Sequence, residues 1–240
     1  MNTRNSIQGA MSGFHTQPEP QASVHDSVIV HFNRLVERQG ALCTEMLGEL
    51  HREWLGPRGL FATFGREIEH LGRQAPSLDE LDEIVDDVRL QQAEAAVAFV
   101  LGQSHRRVAA KNPFTGQRRE ALCCVAFDDC AGLTLVERYA AYEALRQNDS
   151  TFFIKLIATT RGVSERRIVF RGLLEHYDSL MPLERCIYPQ GYRDIQQGHL
   201  DREEAIHGPL SLDGSLMKLL EKMTPLSLLK QVQPQPDPLL

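Results

Sequence analysis

The chain reads as a mainly α-helical protein, a multi-helix bundle-like globular fold. Three observations say so. Apolar residues recur three and four apart over most of its 240 residues, which is the helical period. Two capping boxes, Ser77 with Glu80 and Thr134 with Glu137, open apolar runs. Leu, Ala, Arg, Glu and Gln dominate, aromatic content is 7% and Val/Ile/Thr alternation is scarce, a balance that favours helix over sheet.

Residues 1–23 are polar and carry Pro18 and Pro20, so they read as a disordered leader. Residues 24–55 place Val28, Phe32, Leu35, Leu42, Met46, Leu50 and Trp54 on a helical period. Gly40 and Gly48 weaken that period, predicting one bent helix or two, and Gly56-Pro57 stops it. Residues 60–73 form the next helix, with Phe61, Phe64, Ile68 and Leu71 inward and an end near Gly72. Ser77 then caps a long helix to about residue 101. Asp79, Glu80, Asp82 and Glu83 fill its first turn, where the helix dipole favours anions. Leu81, Ile84, Val85, Val88, Ala95, Phe99 and Val100 are its expected buried face.

Asn112-Pro113 and Thr115-Gly116 mark a turn. After it, residues 118–128 suit a short helix with Leu122, Val125 and Ala126 inward; the alternative is a short β-hairpin near 105–127. Thr134 opens a helix ending near Asn148, Ser150 caps another, and Ser164 a third that runs to Leu180 before Pro182. Residues 183–198 suit an irregular loop, residues 199–207 a short polar helix, and residues 212–223 an amphipathic one interrupted by Pro225. Residues 233–240 hold three prolines and read as a disordered tail. The expected organisation is thus a leader (1–23), an N-terminal helical part (24–102), a C-terminal helical part (103–232) and a tail.

Residues 150–180 carry the one pattern that points to a particular function. Ala158, Gly162 four residues later and Ile168 six after that follow the spacing of many DNA-binding helix-turn-helix units. In that reading residues 164–180 enter the groove, and Lys155, Arg161, Arg166, Arg167 and Arg171 contact DNA. Arg171 stands where such units bury an apolar residue. The net charge of −6 also runs against a dedicated nucleic-acid binder.

Other constellations read more plainly. The basic group Arg106, Arg107, Lys111, Arg118 and Arg119 is a solvated face. Asp128-Asp129-Cys130 before Glu137 has the flavour of a calcium loop, but Ala126 and Ala131 stand where its first ligand and turn glycine belong. His199, Glu203 and His207 share a helix face too spread for a compact metal site. Cys123, Cys124 and Cys130 lack zinc spacing and have no histidine near them in sequence, and no local motif links Cys186 with His176. The five cysteines, an odd count without a CxxC, suit a reduced compartment and small core hydrophobes. No Walker loop, GxGxxG, HExxH or GxSxG occurs, and no cofactor or metal is expected.

The expectation is a non-catalytic bacterial helical protein that works through another protein, as regulator, adaptor or secretion-associated effector. Its partner surface would be the Val28, Phe32, Leu35, Leu42, Met46 stripe, unless that stripe packs into its own core. A DNA-binding regulator is the alternative, and a metal- or cysteine-dependent enzyme comes third. No membrane span is expected, so the protein reads as cytoplasmic. The alternative is export without a cleaved signal peptide, because acid-poor leaders like residues 1–23 precede many type III secreted proteins.

Overall fold

One helix belongs to each of the three hydrophobic clusters formed by the described residues. A computed structural model describes residues 24–105, 110–160 and 165–232. The described residues form eleven α-helices and two 3-10 segments, with no strand. The helices are α1 (Val24–Gly40), α2 (Thr44–Leu55), α3 (Leu60–Leu71), α4 (Asp87–His105), α5 (Arg119–Phe127) and α6 (Leu135–Ile157). They continue as α7 (Arg166–Ser179), α8 (Pro182–Arg185), α9 (Tyr192–His207), α10 (Leu216–Lys222) and α11 (Pro225–Val232). The 3-10 segments, Gly72–Gln74 and Pro76–Glu83, join α3 to α4.

Helix α6 is the spine, about 35 Å long at 1.5 Å per residue. It gives Ala141, Ala144 and Leu145 to a first cluster with Leu35, Trp54, Phe61, Leu122, Phe127, Met181 and Leu183. Val136 and Ala140 join a second with Phe64, Ile68, Leu78, Leu81, Val97 and Val100. Phe152 and Leu156 anchor a third with Ile168, Leu216, Leu220 and Leu228. The first cluster draws on both sides of residue 102, so the two expected helical parts share a core. At Gly172 α7 approaches closely: a Cβ there would lie 2.6 Å from a Leu156 methyl, so any larger side chain must displace the Leu156 and Leu216 side chains.

Three expectations need correction. The helix expected to end near Asn148 runs on to Ile157, because Asp149 spends its carboxylate on Arg119 and His176 instead of turning the backbone. The Ser77 capping box does not form. Ser77 donates its hydroxyl (2.6 Å) and its N–H (2.9 Å) to Glu67 on α3, while Glu80 accepts the Leu135 N–H at 2.9 Å. With both box partners drawn to distant groups, Pro76–Glu83 winds as a 3-10 helix and α4 starts afresh at Asp87. Asp86 caps that start by accepting the Arg89 N–H at 2.7 Å. The helical phase is reset, so α4 buries Ala93, Ala96, Val97 and Val100, whereas Val85, Val88 and Ala95 are exposed. Residues 183–198, expected as a loop, hold part of α8 and the start of α9.

Elsewhere the patterns hold. Residues 24–55 divide into two helices, α3 ends at Gly72 with φ 59°, and α5 is the helix after the Asn112 turn. The Thr134 box is complete: Glu137 accepts the Thr134 hydroxyl at 2.7 Å and its N–H at 3.0 Å. Arg89 pairs with both oxygens of the same carboxylate.

Phe127 is fully buried and stacks on Trp54 with ring centroids 6.2 Å apart, so Phe127→Ala leaves a cavity among α1, α2, α5 and α6. Urea unfolding is expected to show a loss of about 3–5 kcal/mol.

Candidate functional sites

Four buried or half-buried ionisable side chains meet where α5, α6, α7 and α8 converge. Arg119, the first residue of α5, lies 2.7 Å from Asp149 Oδ1 and 2.5 Å from Glu184 Oε1, and donates to the Ser179 carbonyl at 3.2 Å. His176 Nε2 sits 3.3 Å from Asp149 Oδ1. Phe152 and Phe153 enclose the imidazole, with ring centroids 5.9 and 4.6 Å away. Burial alone would raise the Asp149 carboxyl, but His176 and Arg119 outweigh it and hold the acid below its usual range. Beside the network opens a cleft of 310 Å³ whose walls include Arg118, Arg119, Asp149, Phe152, Lys155 and Leu220.

The five residues expected to face DNA are placed unevenly. Arg167 is buried and donates to the carbonyls of His207 (3.1 Å) and Gly208 (2.6 Å) at the end of α9. Lys155 donates to the Leu220 carbonyl at 2.5 Å. Arg166 lies 3.5 Å from Glu203 and Arg171 2.9 Å from Glu175. Arg161, with the turn Gly162-Val163-Ser164, lies outside the described residues. Phe170 stacks on His199 at 5.0 Å. Helix α7 therefore directs Arg167 inward, and both surface arginines already hold carboxylates.

The apolar stripe is divided by the break between α1 and α2. Leu35 and Phe32 belong to the first core cluster, Val28 and Leu42 are half-buried, and Met46 faces outward at 51% exposure. Of the basic group, Arg119 is drawn into the buried network, Lys111 and Arg118 are exposed, and Arg106 and Arg107 lie outside the described residues. Cys186 donates its thiol to the Leu183 carbonyl at 3.1 Å, while His176 contacts Asp149 and two phenyl rings. Cys123 is the core hydrophobe that cysteine usage suggests, while Cys43 and Cys130 are exposed. In the helix α9, Glu203 faces Arg166, and His199 meets Arg202 at 2.8 Å.

A different surface stands out where the expected helix breaks. Residues 79–87 carry six acidic and no basic side chains. Val85 among them is 95% exposed, and Val88 just after them is 65% exposed. The segment is held in place by the Glu80 contact to Leu135, the Asp86 cap and the buried side chains of Leu78 and Leu81. A cleft of 430 Å³ lies alongside, lined by Leu78, Leu81, Ile84 and Leu90 and rimmed by Asp79, Asp82, Glu94 and Arg73. Arg73 is committed to Glu94 at 2.7 Å. Apolar residues exposed within an acidic run are missed by a helical-period reading, which places Val85 and Val88 inward. Their signal is the density of carboxylates around them.

No protein-family model, curated protein or solved structure matches this chain. The sites therefore rest on their own chemistry. Among the described residues no helix is long and apolar enough to cross a membrane.

Removing Arg119 leaves Asp149 and Glu184 buried without their cation. Arg119→Met is expected to cost about 3–5 kcal/mol in urea unfolding, more than the loss of an exposed pair. A carboxyl held low when folded stabilises above its unfolded value and loses that contribution as pH falls through the folded one. Asp149 is such a group, so melting temperature is expected to drop below about pH 4, and less steeply in Asp149→Asn.

Proposed function

We propose that this chain works by binding another protein, and that the acidic, apolar surface at residues 79–88 takes a cationic amphipathic segment of that partner. The observation that carries the reading is the exposure of Val85 on an anchored turn amid carboxylates. Water-exposed valine on a mobile tail costs nothing to explain, but a pair on an anchored segment, next to a largely polar cleft that Ile84 and Leu90 also line, presents area to bury. The six acidic side chains steer a basic partner toward it and repel an acidic one, nucleic acid included. An amphipathic helix with lysines or arginines on one face and leucines three and four apart on the other fits both features.

Catalysis is not the reading we favour. Arg119, Asp149 and Glu184 are engaged with one another, and His176 is enclosed by phenyl rings. DNA binding has less support, because Arg167 and Lys155 are spent on backbone carbonyls.

The test is fluorescence anisotropy of a labelled Lys/Leu amphipathic helical peptide against the full chain and against Val85→Ser/Val88→Ser, which keeps every charge. Two valines at about 1.5 kcal/mol each predict a loss of at least tenfold in affinity. Equal binding by the two proteins would mean that charge alone attracts the peptide, and the proposal fails. Salt-sensitive binding of duplex DNA that falls in Arg166→Ala/Arg171→Ala would instead move the function to α7.

A further inference from the structure

Away from that surface, the loop after α5 is joined to α1 by a set of nitrogen, oxygen and sulfur donors. His31 on α1 brings Nε2 to 2.6 Å from Asp128 Oδ2, across 97 positions of sequence. Ligand atoms of Asp128, Asp129 and Cys130 lie within 4.8 Å of one another. The Cys130 thiol is 3.5 Å from Asp129 Oδ1, and the Cys130 N–H donates to Asp128 Oδ1 at 3.0 Å, which fixes the loop. Asp128 is buried, whereas the other three donors are open to solvent, with His31 at 44% and Asp129 at 55% exposure.

A cation already sits in this set. The Arg38 guanidinium reaches Asp128 and Asp129 at 3.2 Å each and the Cys130 sulfur at 3.7 Å. It is half-exposed, so it can leave toward water. A second cation, Arg138 on α6, adds positive charge near both carboxylates, but it donates to the Ala126 carbonyl and lies over Trp54 at 5.0 Å. The calcium pattern in the sequence does not account for the cluster, because Glu137 is taken by Thr134 and Arg89.

We propose that Asp128, Asp129 and Cys130 form a site for a zinc-like divalent ion, completed by His31, which lies against Asp128 outside that three-residue group, and that Arg38 holds the donors until the metal displaces it. The donor chemistry selects the ion: imidazole and thiolate suit zinc, cobalt or nickel, while calcium and magnesium take oxygen. Binding forms a metal–sulfur and a metal–nitrogen bond. The thiol proton passes to solvent, and no electron is transferred. The ion would clamp α1 to the α5–α6 loop in place of the Arg38 pairs.

The experiment uses the full chain with Zn2+ in calorimetry and Co2+ in absorption, on wild type, Cys130→Ser, His31→Gln and Arg38→Gln. These three positions are at least partly exposed, and circular dichroism checks that the variants fold. The expected result is one Zn2+ per chain, with a sulfur-to-cobalt charge-transfer band that disappears in Cys130→Ser. Affinity is expected to fall about tenfold or more in His31→Gln and to rise in Arg38→Gln. The proposal is overturned by the absence of the band in wild type, or by a band that survives Cys130→Ser and so belongs to another cysteine. Affinity unchanged in His31→Gln, or no tighter in Arg38→Gln, also overturns it.

Discussion

The arrangement of this protein depends on one buried guanidinium. Arg119 begins α5, yet its partners lie on α6, at the end of α7 and on α8. A guanidinium taken out of water needs its donors satisfied in a fixed geometry. The observed placement of the four helices provides two carboxylates and a carbonyl around it. The first and third apolar clusters meet the same helix on either side of this point, since Leu145 and Phe152 flank Asp149 on α6. Apolar packing supplies the driving force, and the Arg119 contacts are satisfied in the register in which that packing occurs.

Local patterns revealed the helices whose caps are local. Thr134 and Glu137 bind one another, so the box read from spacing is the box that forms. Ser77 and Glu80 have the same spacing and bind Glu67 and Leu135 instead. No periodicity argument separates those two cases, because the difference lies in what distant helices offer. The same holds for Asn148-Asp149-Ser150, whose composition suggests an ending and whose acidic member is recruited by Arg119.

The surfaces follow the same logic. A reading that takes Ser77 as a cap must turn Val85 and Val88 inward, and the reset at Asp87 turns them out. The acidic run was visible as composition, but its union with exposed valines was not. Likewise the pairing of His31 with Asp128 joins α1 to a loop far along the chain, where a search for a nearby histidine finds none. Both cases need the tertiary arrangement before chemistry can be assigned.

The participation of α6 in all three clusters bears on how the protein comes apart. In a molecule whose cores are served by separate elements, one core can melt while the others persist. Here Val136, Ala140, Ala141, Leu145, Phe152 and Leu156 occupy one continuous helix. Losing any cluster exposes a stretch of the rod that the other two need ordered. Partial opening is thereby confined to segments that pack on the neighbours of α6, such as α1 on α5, α9 on α7 and α11 on α10, and disruption of the rod itself is cooperative across the three cores.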